Sequence, residues 1–302
     1  MKHYATIAVR KRWEEETLCA EDERARVIEV QHEARLSFQF EHFSQHPVLI
    51  HGVFSRRGGL SEAPYASLNT GLSVGDDRQR VFANRKLLSQ MLGYPDWPIA
   101  TCWIVHGNEM VEAGAEWKLD HDELGDPGFR RRGDALITRE PGLFLLISFA
   151  DCLPVLYFDP VHRVASLTHA GWRGTAGGIA MQTVKSLASR YGSRPADLLV
   201  GLAPSIGSCC YEVGPDVLAE MERQPDVAAS AATLPHPAGR ADRWMLDLKE
   251  TNRRQLLAAG VLPERIEIMP ICTACRTDLF YSHRQEQGKT GRFAVLVGIR
   301  PE

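Results

Sequence analysis

The sequence predicts an α+β fold: a single domain in which helices flank mixed β-sheets. Three observations lead there. Strand-like apolar runs outnumber helical stretches. The two do not alternate regularly, as they would in a doubly wound parallel sheet. No composition shift divides the chain beyond about residue 45.

Residues 1–45 read differently from the rest. They are charge-dense, with Lys11-Arg12-Trp13-Glu14-Glu15-Glu16 and Glu21-Asp22-Glu23-Arg24, and are expected to form an appended arm or an edge element. Residues 46–302 form the expected catalytic domain. Val48–Phe54 is its first strand, followed by a glycine turn at Gly58-Gly59. Asp76 and Asp77 offer an N-cap to a helix carrying Val81, Arg85, Leu88 and Leu92, which Gly93 stops. Strands are expected at Thr101–Val105, Asp134–Thr138, Leu143–Phe149, Val155–Phe158 and Val164–Thr168. A second helix is expected from about Thr175 to Tyr191, ended by Gly192. Leu198–Leu202 is a strand, and Pro215 starts a short helix through Met221. Residues 223–242, rich in Ala, Pro and Asp, are expected to be a long surface loop or flap. Asp247 caps a helix ending at Gly260, and strands at Ile266–Ile271 and Phe293–Ile299 close the chain.

Composition narrows the function. A 44% hydrophobic content over 302 residues supports a substantial core, and a formal charge of -3 argues against a nucleic-acid coat. The basic run Arg130-Arg131-Arg132 reads as a solvated loop. The longest apolar run, Leu143 to Ala150, is too short to span a bilayer as a helix. No secretory signal is visible, so the cytoplasm is the expected location. There the seven cysteines are expected as thiols, ligands or nucleophiles.

The chemistry concentrates at His106, Cys152 and His169, which lie in or beside apolar segments: Val105-His106-Gly107, Ala150-Asp151-Cys152 and His169-Ala-Gly-Trp-Arg173-Gly174. Two imidazoles and a thiolate can hold zinc with a fourth position open, as catalytic sites do. The same trio can instead set a cysteine nucleophile beside a histidine base. Asp151 interrupts an apolar stretch and is a candidate to orient a histidine ligand. After His169 comes a glycine-spaced turn carrying Arg173, a setting that favours an anion at the following helix start. It is neither a Walker A loop nor a dinucleotide turn. A serine hydrolase is disfavoured, because the one G-x-S-x-G match, Gly71-Leu72-Ser73-Val74-Gly75, does not directly follow a strand-like run as a nucleophile elbow does.

Cys272-Thr-Ala-Cys275 has the spacing of half a zinc knuckle or of a redox pair. No second C-x-x-C completes a four-cysteine site, and two packed thiols are expected. Cys209 and Cys210, being adjacent, are poorly spaced to chelate one metal and are expected to be core thiols beside Tyr211.

Taken together, the motifs resemble the YfiH-type family, once called multicopper polyphenol oxidases or laccases and also peptidoglycan editing factors. The resemblance runs from about residue 48 to the end. It rests on Phe54-Ser-Arg56-Arg-Gly-Gly-Leu-Ser61, Ser67-Leu-Asn69-Thr-Gly71, Val74-Gly75-Asp76, Asn84-Arg85 and the three segments around His106, Cys152 and His169. Ile206-Gly-Ser-Cys-Cys210-Tyr211-Glu212-Val213-Gly214, Cys272-Thr273, Phe280-Tyr-Ser-His-Arg284 and Gly291-Arg292 follow in order. Leu60, where the family often has Val, Cys275, the 223–242 loop and the arm look particular to this chain.

The resemblance implies a metal on His106, Cys152 and His169, with zinc expected and copper the alternative. It implies a pocket for purine nucleosides and phosphate, with phosphorolysis of adenosine, inosine, guanosine and methylthioadenosine and deamination of adenosine. No nucleic acid or membrane partner is implied. Arg56 and Arg173, with Asn69, are the candidate substrate and phosphate contacts; Cys152, His169, His106 and Asp151 are the candidate catalytic residues. A Cys–His amide hydrolase editing peptidoglycan precursors is the first rival. Copper oxidation of phenols is the second, disfavoured because the 11 histidines are scattered.

Overall fold

Alternating side chains sort each central strand between two cores, because successive residues of a strand face opposite ways. In the computed structural model, which describes residues 7–10, 27–118 and 131–302, this sorting builds four layers. The first sheet has the spatial order β1 (Ile7–Arg10), β2 (Val27–His32), β3 (Arg35–Phe40), β4 (Leu49–Phe54), β16 (Phe293–Ile299), β8 (Phe144–Phe149) and β5 (Ile99–Ala100). The second is β15 (Ile266–Ile268), β11 (Leu199–Leu202), β9 (Leu153–Asp159), β10 (Val164–Ala170), β7 (Ala135–Thr138) and β6 (Met110–Glu112). A small third sheet joins β12 (Glu212–Val213), β14 (Trp244–Leu246) and β13 (Thr233–Pro235).

Leu145, Ile147 and Phe149 of β8 and Val295 and Val297 of β16 meet Leu156, Phe158 and Leu167 of the second sheet in the central core. The other faces of β8 and β16 cover helix α2 (Arg78–Met91) with Phe144, Leu146 and Leu296. On the far side, Val155, Tyr157 and Val200 pack against α4 (Ile179–Tyr191) and α7 (Leu248–Ala258). Strands covered on both faces read as unbroken apolar runs, which is why their positions are legible. Burial of this extent, at roughly 25 cal/mol per Å² of apolar surface, is the main stabilising term. The whole is a mixed α+β single domain, and no described helix is long and apolar enough to cross a membrane.

The local signals hold where they are local. Asp77 and Asp247 cap α2 and α7 by accepting from Arg80 N–H and Glu250 N–H, and Gly192 ends α4 with φ +76°.

Three expectations need correction. The helix expected from Thr175 is two helices, α3 (Trp172–Ala176) and α4, broken at Gly177-Gly178, where Gly178 is left-handed. Residues 101–105 form no strand beyond an isolated bridge at Trp103; they wall a pocket instead. The 223–242 stretch contains α6 (Pro225–Ala228) and β13, and buries Val227 and Ala232, so it is anchored rather than loose. It follows α5 (Pro215–Glu222). The solvated reading of the basic run holds where it is described: Arg132 is exposed, and Arg131 pairs with the exposed Glu116 at 3.2 Å while lying 4.1 Å over the Trp117 ring.

Residues 27–45 of the charge-rich segment supply β2, β3 and the short helix α1 (Glu41–Ser44), and they bury Phe38, Phe40 and Phe43 in the central core. The sheet therefore starts well before residue 46. The charged runs 11–16 and 21–24, and Arg130, lie outside the described residues.

Candidate metal centre and pocket

The chain crosses from the first sheet to the second at Ala150-Asp151-Cys152, between β8 and β9. Asp151 makes that corner with φ +80°. Asp tolerates this left-handed backbone better than most side chains. In the β9–β10 ladder Leu153 faces Ala170 and Pro154 faces His169. The register thus carries Cys152 to Gly171 and sets its thiol beside the His169 ring. His106 arrives from the loop before β6, itself left-handed at φ 57°; the sharp backbone is at the histidine and not at Gly107. Metal-ligand atoms of His106, Cys152 and His169 all lie within 4.8 Å of one another. The trio read from the sequence converges.

Gly171 keeps its centre open. A Cβ there would sit 3.0 Å from Cys152 Sγ, 3.5 Å from His169 Cε1 and 3.7 Å from His106 Cδ2. The space a side chain would fill is the space an ion needs. Two imidazoles and a thiol around it suit zinc, and also copper. His169 Nδ1 faces Asp134 Oδ1 at 3.4 Å, a charge contact that falls short of a formed hydrogen bond. Nε2 is then the nitrogen left for a ligand bond.

Electrostatics follow from that packing. Burial opposes charge on His169, but the Cys152 sulfur and Asp134 outweigh it and push the imidazole up to about 9. Burial, with the neighbouring His169, lowers His106. Asp134 is held below the ordinary carboxylate range despite its burial, by His169 and by the amides of Gly107 and His106. Asp134 is not among the residues the sequence singles out; its signal is a carboxylate opening an otherwise buried strand.

Asp151 does not orient a histidine. Its Oδ1 accepts from Thr273 Oγ1 at 2.7 Å and its Oδ2 from Arg284 N–H at 2.6 Å. It braces the corner that presents Cys152.

The trio stands in a cavity of about 550 Å³, in the range of small-molecule sites. Its wall includes Trp103, Trp172, Tyr211 and four arginines: Arg85, Arg173, Arg284 and Arg292. Arg173 is where the sequence placed it, stacked 4.2 Å over Trp172. Arg56 is not in the cavity wall. Its guanidinium donates to Thr277 O and Glu286 Oε1, both at 2.9 Å, and stacks 4.2 Å over Tyr281. Asn69 is fully buried behind the wall, and its Oδ1 accepts from Gly71 N–H at 3.0 Å and Arg292 N–H at 2.8 Å. It acts on the pocket through those two backbones. The helix start expected near Thr175 falls three residues earlier, at Trp172, and Thr175 N–H itself donates to Gly171 O at 2.8 Å. Arg85 was detectable, since an arginine on the apolar stripe of a helix needs a reason to be buried.

The family model described as multi-copper polyphenol oxidoreductase laccase matches residues 50–300. The chain is 38% identical over 260 residues to the purine nucleoside phosphorylase YlmD of Geobacillus stearothermophilus, covering 83% of this chain and 90% of that one. It is 33% identical over 247 residues to the purine nucleoside phosphorylase YfiH of Escherichia coli K12, covering 81% and 91%. The crystal structure of the Geobacillus YlmD matches with a TM-score of 0.80 at 36% identity, over 90% of this chain and 98% of that one. The chain belongs to this YfiH/YlmD family of multi-copper polyphenol oxidoreductase laccase-type proteins.

Proposed function

We propose that this protein is a metal-dependent purine nucleoside phosphorylase, acting on adenosine, inosine, guanosine and methylthioadenosine, with adenosine deaminase activity in the same pocket. The observation that carries the reading is one cavity joining the His106–Cys152–His169 trio to four arginines. The names of the relatives supply the substrate class.

Phosphorolysis breaks the bond between the base nitrogen and the sugar C1′ and forms a bond from a phosphate oxygen to C1′; the base leaves with a proton. Enzymes accelerate such a displacement mainly by placing the phosphate and stabilising its charge. Arg85, Arg173, Arg284 and Arg292 are the groups that would do both here. Burial lowers Arg292 from its ordinary value, yet a guanidinium stays charged and gains from an anionic partner. Trp103, Trp172 and Tyr211 offer flat apolar surface to a purine. His106, Cys152 and His169 would hold zinc, which when bound can lower the pKa of water to about 7 and so supply a hydroxide for deamination. Asp134 and Asp151 keep those ligands in place.

A second reading has its own support. The Cys152 sulfur beside the buried His169 ring is also the arrangement of a cysteine nucleophile with a histidine partner, which would suit a metal-independent amide hydrolase acting on peptidoglycan precursors.

The test is to incubate purified protein with adenosine and phosphate, resolve adenine, inosine and ribose 1-phosphate, and measure metal on the same sample. Cys152→Ala should lose turnover together with the metal held by His106, Cys152 and His169. Metal-free wild-type protein with full turnover that a thiol alkylator blocks would replace the first reading with the second.

A further inference from the structure

The parallel pairing of β11 with β15 continues past both strand ends. A bridge joins Ser205 to Cys272, and Thr273 N–H donates to Ser205 O at 3.1 Å. Two loops therefore run side by side. One carries the adjacent Cys209 and Cys210, the other Cys272 and Cys275. In sequence the two pairs stand apart, and neither alone has the spacing of a complete site. The fold unites them: the four sulfurs all lie within 4.8 Å of one another.

The distances discriminate. Cys275 Sγ is 3.6 Å from Cys209 Sγ and 3.5 Å from Cys210 Sγ. A disulfide needs about 2.0 Å. Four thiolates bonded to one zinc at about 2.3 Å stand about 3.8 Å apart at the corners of a tetrahedron. Cys272 is buried and its Sγ accepts from Gly207 N–H at 3.2 Å, the kind of amide contact that orients a thiolate ligand. Gly207 is needed for that approach, since a Cβ there would meet Cys209 Sγ and Cys272 Cβ, each at 3.2 Å. Lys249 Nζ donates to Ser205 O at 3.3 Å and Ile271 O at 3.1 Å, placing a positive charge at the base of both loops.

We propose that Cys209, Cys210, Cys272 and Cys275 bind a structural zinc ion, distinct from the His106–Cys152–His169 centre, that staples the loop after β11 to the loop after β15. Binding releases the thiol protons to solvent. Four sulfur ligands close the coordination sphere, so this ion does no chemistry on substrate. Its effect is mechanical. The first loop supplies Ile206, whose N–H donates to Asp151 O at 2.9 Å, and leads to Tyr211 of the pocket wall. The second supplies Thr273, which donates to the Asp151 carboxylate. Both stapled loops thus hold the corner that presents Cys152. The inference does not depend on which reaction the pocket performs.

The experiment is metal reconstitution of the full chain under reducing conditions. Wild type should bind two zinc ions per chain. Cys275→Ser should bind one, and Cys152→Ala should also bind one. Cobalt-loaded Cys152→Ala should keep an intense sulfur-to-cobalt charge-transfer band that Cys152→Ala/Cys275→Ser lacks. Should the Cys275 variants fail to fold, alkylation of zinc-loaded wild type decides: peptides carrying Cys209, Cys210, Cys272 and Cys275 should resist until a chelator is added. A single zinc per wild-type chain that Cys152→Ala removes, alkylation of these peptides regardless of chelator, or a disulfide between the two loops under the reducing conditions would each overturn the proposal.

Discussion

Asp134 serves both histidines of the centre: its Oδ1 lies 3.4 Å from His169 Nδ1, and its two oxygens accept from His106 N–H at 2.8 Å and Gly107 N–H at 2.7 Å. One carboxylate thereby fixes the ring of one ligand and the left-handed backbone of the other. Asp134→Asn keeps the volume but turns an NH₂ toward one of those donors. Partners of this kind are worth roughly 10- to 100-fold in metal affinity. Chelator competition should show a loss of that size at the His106–Cys152–His169 centre. Unchanged affinity would mean that the ligands are held without Asp134.

Asp151 braces the other ligand. Its carboxylate is the acceptor for Thr273 Oγ1 and Arg284 N–H, and its main-chain oxygen the acceptor for Ile206 N–H. Asp151→Ala would leave buried donors unmatched, a loss of about 1–3 kcal/mol for each such group. It would also place a less tolerant residue at φ +80°. A lower denaturation midpoint together with faster alkylation of Cys152 in zinc-loaded protein is expected, whereas Thr273→Val should give a smaller loss of the same kind. Equal stability of Asp151→Ala and wild type would remove the bracing role.

Two arginines separate binding from architecture. Arg173 faces the cavity and Arg56 does not. Arg173→Ala should raise the phosphate KM by tenfold or more, about 1.4 kcal/mol, while harming adenosine deamination less. Arg56→Ala should leave the phosphate KM near wild type and lower stability by ~1–3 kcal/mol through the loss of its Glu286 pair and its Tyr281 stacking. Steady-state phosphate titration with both variants checks this; equal losses of phosphorolysis and deamination in Arg173→Ala would make Arg173 structural.

What the sequence disclosed and what it withheld divide along contact range. Asp77, Asp247 and Gly192 act on backbone within a turn, so residue type alone identifies them. His106, Cys152 and His169 were visible as reactive residues at the ends of apolar runs. Arg56 and Arg292 could not be ranked, because what separates them is their surroundings: Arg56 is held by Thr277 and Glu286, more than two hundred residues away in the chain. Asp134 looked like an ordinary strand start until the β7–β10 register set it against His169, whose N–H donates to Asp134 O at 2.7 Å. The four cysteines met only through a parallel pairing that no local spacing encodes. The break at Gly177-Gly178 was present in the residues, but glycine within an apolar stripe is compatible with either a continuous helix or two.

His51 provides a test of the core away from the pocket. It is buried beside Phe40 and Phe43, and its Nε2 accepts from Phe40 N–H at 2.9 Å. That bond requires the neutral ring, and burial lowers the imidazole to about 3. The unfolded chain titrates near 6.5. Between those values the unfolded state binds one more proton than the folded state, so folding stability is complete above about pH 6.5 and is lost as pH falls toward 3. The slope for one such group is about 1.4 kcal/mol per pH unit, which predicts a loss of ~2 kcal/mol between pH 7 and pH 5. His51→Gln keeps an acceptor and removes the titration. Urea midpoints measured at pH 7 and pH 5 should therefore fall more steeply for wild type than for His51→Gln. The depressed carboxylates Asp134 and Glu286 lose their contribution only at lower pH, so they do not mask the difference in this window. Parallel pH dependence in the two proteins would show that the ring is protonated, or solvated, in the folded core.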